Sequence, residues 1–141
     1  MSQYDDLKTG TYKFAAVNFA TGSTQKIVVP RTAKLARVLD IQLANCTVAF
    51  TQVTTPALVQ VGDGTTANAF AALTVGALAV GSSIGGADQT GGIFTAVYQA
   101  GNYSSGAGLH DLIVTFVAPT GGTPAGTADV TILIGWDEIN P

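Results

Sequence analysis

The sequence predicts an all-β fold, an eight-stranded sandwich, on the basis of three observations. Short runs of β-forming residues recur along the chain, and each is followed by a cluster of Gly, Pro, Asn or Asp. Within several runs, apolar and polar residues alternate with the period of two that a half-buried strand requires. The chain also has 17 glycines and only 11% charged residues, a composition that suits tight turns between short strands.

The strands are assigned from these runs and from their alternation. In the last run, alternation places Val130, Ile132, Ile134 and Trp136 on the inner face. In the third run, the same argument sets Leu39, Ile41 and Leu43 opposite Val38, Asp40 and Gln42. In chain order, the predicted strands are residues 11–19, 25–30, 36–43, 46–53, 57–61, 93–99, 111–118 and 128–136.

Strand 111–118 is apolar on both faces, because Leu112, Val114 and Phe116 alternate with Ile113 and Val117. We therefore expect the opposing sheet to cover one face and a neighbouring molecule to cover the other. Composition suited to a helix occurs only at residues 67–73, where we allow one or two turns.

Residues 1–141 are predicted to form a single domain, since neither a linker nor an internal repeat divides them. The lone Cys46 excludes an internal disulfide, and its strand-like context predicts a small buried hydrophobe. The start of the chain lacks the basic and apolar regions of a signal peptide, and the very apolar segment 69–81 is too short to span a membrane. We expect a protein that is made and used, or assembled, inside a cell and has no membrane partner.

Basic residues are confined to the N-terminal segment 1–37. Six basic and two acidic residues give this segment a net charge of +4, whereas 38–141 carries seven acids, no Lys or Arg, and a net charge of −7. Two interpretations stay open: a solvated face, or a segment that seats on an acidic partner or on a neighbouring copy. The residues that would make this contact are Lys8, Lys13, Lys26, Arg31, Lys34 and Arg37.

The distribution of these charges bears on two further expectations. Six scattered cations without a basic run are a weak footprint for nucleic acid, so we predict no such partner. Lysine commonly protects the edge strands of soluble monomers, yet none follows residue 37. The edges are covered either by the chain's own loops or by other subunits, and we favour self-association.

The Gly62-Asp63-Gly64 sequence is the part of the chain that most resembles a ligand-binding loop. A phosphate loop would need a Lys here, a dinucleotide loop would need a following helix, and a calcium loop would need more than one carboxylate. Asp-Gly after an alternating strand is instead a strong turn signal. We predict a turn without a ligand.

No arrangement of residues indicates catalysis, a metal centre or a cofactor site. His110 is the only histidine, and the adjacent Asp111 would point to the opposite face of a strand, so it could not orient the imidazole. One His and one Cys are too few for a zinc centre. The pair Asp137 and Glu138 is read as a solvated tail. We therefore predict that the chain is not an enzyme.

Among the aromatic residues, Tyr103 is the one clearly placed in a loop, and loops commonly carry contacts. It is a candidate contact residue for a partner or a ligand, whereas Trp136 is expected to pack in the core.

The chain resembles the small jelly-roll cement, or decoration, proteins of tailed bacteriophages. The resemblance rests on a composition rich in Ala, Thr, Gly and Val, on the strand and turn ALVQVGDGTTANAF, and on the terminal strand ADVTILIGWDEI. It implies a jelly-roll-like sandwich that forms dimers or trimers and clamps adjacent major capsid subunits on the virion surface, after assembly in the host cytoplasm. The family has no catalytic residues to carry over.

A second function stays open from the sequence: a receptor- or carbohydrate-binding head, such as a fibre tip or a lectin-like sandwich. It would place an exposed aromatic residue and acids in the loops around Tyr103.

Overall fold

The computed structural model describes residues 7–28, 33–51, 54–62, 66–68, 70–85, 90–93 and 111–138. These residues form nine strands and no helix, so the fold is all-β with one strand more than predicted. None of them belongs to a helix that is long and apolar enough to cross a membrane. The strands are β1 (Leu7–Asn18), β2 (Ser23–Val28), β3 (Ala33–Val48), β4 (Leu58–Gly62), β5 (Ala71–Thr74), β6 (Ile84–Gly85), β7 (Thr90–Ile93), β8 (Asp111–Val117) and β9 (Thr127–Glu138).

The strands form two antiparallel sheets. The first sheet has the order β1-β9-β3-β6, and the second has the order β2-β8-β4-β5-β7. The pairing is nested: the first strand pairs with the last one, with Tyr12 opposite Ile132, and the second strand pairs with the one before last, with Ile27 opposite Leu112. This nested order is that of a jelly roll, which agrees with the predicted sandwich.

The core lies between the two sheets, and among the described residues it buries only apolar side chains. The predicted inner residues of β8 and β9 are no more than 1% exposed, except Trp136, which packs against the core but is only half-buried. Phe19 holds the centre of an aromatic cluster, with ring centroids 4.9 Å from Phe50 and 5.5 Å from Phe116 in edge-to-face geometry. The buried inner residues of these two strands are Leu112, Val114, Phe116, Val130, Ile132 and Ile134.

The inner face of β3 differs from the prediction at its start. Val38 is buried, whereas Leu39 is 39% exposed, the reverse of the predicted faces. The register against β9 skips a residue between Val38 and Asp40, so Leu39 is the additional residue of a β-bulge. Because a bulge shifts the period of two, simple alternation holds only beyond it, where Ile41 and Leu43 are fully buried.

Three other assignments change. The predicted strand 46–53 is not separate from β3, because β3 continues through Asn45, which has a φ of 53°, to Val48; residues 52 and 53 lie outside the described residues. The segment predicted to hold helical turns contains β5, whose Val59–Leu73 and Val61–Ala71 pairs extend the second sheet. Of the predicted strand 93–99, Ile93 ends β7, and residues 94–99 lie outside the described residues.

Candidate interaction surface

The outer face of the second sheet combines apolar and uncharged polar side chains. Its residues alternate with the buried inward residues Ile27, Val59, Leu73 and Leu112, so the strand register fixes their side. Among the described side chains of this face, Lys26 is the one that carries charge. The outer face includes Thr24, Lys26, Val28, Leu58, Gln60, Ala72, Thr74, Ile113, Thr115 and Val117, and the register places Asp111 on it too, opposite Val28.

The apolar members of this face are accessible to solvent. Val28, on the edge strand, is 63% exposed, and Leu58, Ile113 and Val117 are half-buried. Leu58 lies directly opposite Val117, next to the row in which Thr24, Thr115 and Gln60 face one another. The second apolar side of β8, predicted from the sequence, is therefore a surface of the folded chain and not part of its core.

The outer face of the first sheet is organised around Asp129. The Ala16 backbone N–H donates to Asp129 Oδ1 at 2.8 Å, and Asn45 Nδ2 donates to Oδ2 at 3.3 Å. Ala16 and Asn45 are the two described non-glycine residues with positive φ, and each lies at a register shift, one in β1 and one in β3. One carboxylate on the central strand thus holds the bulges of both neighbouring strands.

These hydrogen bonds also determine the charge of Asp129. The Ala16 N–H, the Asn45 amide and the Lys13 ammonium, whose Nζ is 3.5 Å from Oδ2, all favour the ionised carboxyl and lower its pKa from the ordinary value. A shifted carboxyl can mark a functional site. Here every partner is a structural group of the chain itself, so we assign Asp129 to the stability of the fold.

The structure does not bring the predicted contact cations together on one face. Lys13 lies on β1 and is ion-paired within the chain, whereas Lys26 is exposed on the second sheet. Lys8 is exposed on β1, and Lys34 and Arg37 belong to β3 in the first sheet. Arg31 and Tyr103 lie outside the described residues.

Jelly-roll topology places three of the four lysines on edge strands. β1 and β2 are the two edge strands on one side of the sandwich, and together they carry Lys8, Lys13 and Lys26. On the other side, the described parts of the edge strands β6 and β7 have two and four residues, and β6 pairs with Gln42 and Leu43 of β3. Charge and short length are both established protections of sheet edges. The absence of lysine after residue 37 is therefore no evidence that subunits cover the edges.

A cleft of about 390 Å³ separates the edge strands β1 and β2. Phe14 and Phe116, whose ring centroids are 5.7 Å apart, line its apolar part. Ser23 and Gln25 of β2 also line it; they point to the inner side of the sheet yet are exposed. The lining contains no charged group, and its hydroxyls, those of Thr21 and Ser23, have no acid or base among the lining residues to activate them, so the cleft has the character of a contact groove.

Gly62 of the Gly62-Asp63-Gly64 sequence ends β4 and is buried. A Cβ on Gly62 would lie 2.0 Å from the carbonyl oxygen of Thr66 and 2.6 Å from that of Ala67. Glycine is thus needed here because the loop folds back onto the strand, and not for a ligand. Asp63 and Gly64, with the predicted turn, lie outside the described residues.

Chemical candidates are few in the described part of the chain. No three His, Cys, Asp or Glu side chains gather there as a possible metal site. Cys46 is buried as predicted, and burial raises the pKa of its thiol, against a smaller opposing effect of a backbone hydrogen bond with Val48. His110 lies outside the described residues.

Comparison with known proteins finds similarity among solved structures. The chain matches no protein-family model and no curated protein. Among solved structures, it is similar to a chain of the cyanophage Pam1 capsid asymmetric unit, with 19% sequence identity and a TM-score of 0.47. The match covers 92% of this chain and 82% of that chain. At this TM-score the likeness carries no functional argument.

Proposed function

We propose that the chain is a virion structural protein that decorates a capsid, binding adjacent major capsid subunits through the outer face of its second sheet. In this role it is a surface component of the virion and works by adhesion, without a cofactor or a reaction. The resemblance of the sequence to phage cement proteins motivates the choice of partner. The observation that carries the proposal is the row of apolar and uncharged polar residues at the centre of this face, with the two charged positions, Lys26 and Asp111, at one end of β2 and β8.

The physical argument starts from the cost of desolvation. A protein contact buries polar and charged groups, and unpaired charge is the most expensive group to bury. The centre of the outer face of the second sheet offers threonine hydroxyls, one glutamine and half-buried Leu, Ile and Val side chains. The charged positions Lys26 and Asp111 lie at one end of β2 and β8. Apolar area is thus available for burial at a low desolvation cost.

A capsid shell repeats the same binding site many times, and this repetition explains how a contact face of modest affinity can give stable attachment. A self-associating chain would bind several equivalent capsid sites at once, and linked sites raise avidity well beyond that of one contact. Basic residues of segment 1–37 would add orientation on an acidic shell surface, in keeping with electrostatic steering.

A matched pair of substitutions tests the proposal. Thr115 on β8 and Thr131 on β9 are both half-buried threonines on the outer faces of central strands, one in each sheet. The chain is co-expressed with the major capsid protein of the same genome, and assembled shells are sedimented. We expect Thr115→Glu to abolish co-sedimentation and Thr131→Glu to leave it near the wild-type level, with both variants folded by circular dichroism.

Two results would contradict the proposal. Wild-type chain that stays in the supernatant while shells pellet would exclude the decorating function. Equal binding by both glutamate variants would keep the function but remove the second sheet as its contact face. For the carbohydrate-binding alternative, no observation on the described residues speaks in its favour, and a glycan array gives its direct readout.

A further inference from the structure

The edge strand β2 differs from the other sheet edges in being both regular and long enough to pair. Its six residues pair with β8 in unbroken register, and within the described residues no strand lies on its other side. β1 is interrupted by the bulge between Phe14 and Val17, and the part of β3 that β6 does not pair contains register shifts. The described parts of β6 and β7 are short. Among the described edges, β2 is therefore the one without an irregularity that opposes the addition of a strand.

We propose that two copies of the chain associate through β2, antiparallel about a twofold axis at Gln25, to form a continuous ten-stranded sheet from two five-stranded ones. This inference deepens the proposed function, because it specifies the self-association on which multivalent binding rests. In this register Gln25 faces Gln25 of the second copy, Lys26 faces Thr24, and Ser23 faces Ile27.

The side-chain pattern of β2 selects this register. Directly opposed residues in an antiparallel pair lie on the same side of a sheet, so inward residues must meet inward residues for the two cores to lie on one side. Two such registers overlap five residues of the strand Ser23–Val28. One centres on Lys26 and opposes two like charges, which is destabilising; the other centres on Gln25 and opposes Lys26 to a threonine.

The inward polar residues fit this arrangement. Ser23 and Gln25 are exposed although they lie on the inner side of the sheet, above the cleft between β1 and β2. A glutamine amide has both donors and acceptors, so two Gln25 side chains related by a twofold axis can bond to each other. Residues that are unusual for an interior position in a monomer thus become a self-complementary pair in a dimer.

Charge substitutions at Thr24 test the register. The dimer constant of the full chain is measured by sedimentation equilibrium. Thr24→Lys places lysine opposite Lys26 twice and is expected to weaken the dimer by about two- to thirtyfold, whereas Thr24→Glu creates two opposite-charge pairs and is expected to strengthen it by a similar factor. The double variant Thr24→Lys with Lys26→Glu should restore the dimer, which a merely destabilised fold would not do.

A crosslinking experiment provides an independent readout. With oxidised glutathione, Gln25→Cys should give a disulfide-linked dimer, because opposed Cα atoms lie about 4.5–5.5 Å apart, within disulfide range. Ser23→Cys is the control: it is exposed on the same face of β2, but its two copies would lie about 14 Å apart. The buried Cys46 stays out of reach.

Each contrary result is decisive. A monomeric wild-type chain, a dimer that Thr24→Lys leaves unchanged, or equal crosslinking of the two cysteine variants would overturn the β2 interface. A monomer that still co-sediments with shells would overturn this inference and leave the proposed function standing.

Discussion

Replacing Gly62 by alanine tests the structural role given to the glycine of the Gly62-Asp63-Gly64 sequence. The new Cβ would lie 2.0 Å from the Thr66 carbonyl oxygen, so the segment 66–68 must move by more than an ångström. That movement strains the 3.0 Å hydrogen bond from the Phe70 N–H to the Val61 carbonyl. It also shifts the buried Phe70 ring from its packed position. Overpacking of this kind costs about 1–3 kcal/mol, and the hydrogen bond about 1 kcal/mol more.

The expected loss for Gly62→Ala is therefore about 2–4 kcal/mol of the free energy of unfolding. For a chain of 141 residues, each kcal/mol lowers Tm by about 3 °C, so a fall of about 6–12 °C is expected in thermal unfolding followed by circular dichroism.

Gly81→Ala is the matched control, because Gly81 has a φ of +81° but nothing within 4 Å of an added Cβ. Its cost is confined to backbone strain of about 1–2 kcal/mol. A Gly62→Ala variant that unfolds within 2 °C of the wild type would refute the close approach of the loop. So would a variant that is less affected than Gly81→Ala.

Other predictions concern charge and reactivity. Asp129→Asn is expected to lower Tm at pH 7, because the amide cannot accept from both Ala16 and Asn45 as the carboxylate does. The folded-state pKa of Asp129 is depressed, so the stability that its ionised form contributes is present above the ordinary pKa and is lost as the pH falls through the folded-state value. The Tm difference between the wild type and Asp129→Asn should therefore shrink below about pH 4. A difference that stays constant from pH 7 to pH 2 would contradict this account. The Cys46 thiol should not react with a thiol reagent in the native state and should react fully in denaturant, since it is buried and its pKa is raised. Rapid native labelling would place it outside the core. Reversing the charge of four cations is expected to weaken attachment to shells without unfolding the domain, and undiminished binding by the folded variant would remove these residues from the contact. They are Lys26, Arg31, Lys34 and Arg37.

Much of the fold was accessible from the sequence, because alternation reports directly which face of a strand is buried. It worked where a strand is regular: the inner residues of β8 and most of those of β9 were identified correctly. It failed at Leu39, because a bulge changes the period without a distinctive residue to announce it. It also missed β5, whose Ala-rich composition carries no β preference and whose strand character comes from pairing with β4.

The surface was harder to predict than the core. The apolar outer side of β8 was visible as Ile113 and Val117, but its continuation into Leu58 and Thr24 depends on which strands are neighbours. The clustering of lysine in the first 37 residues suggested a binding segment. The topology offers a second explanation, the protection of sheet edges, because the first two strands of this jelly roll are edge strands.

The central claim is that the outer face of the second sheet is the surface that contacts a capsid. Its most direct test is a cryo-electron microscopy map of shells assembled with the wild-type chain. The account predicts that the row of Thr24, Thr115 and Gln60 faces major capsid subunits, with Leu58 and Val117 buried beside it. A map in which this face points to solvent while the chain is bound through another surface would contradict it.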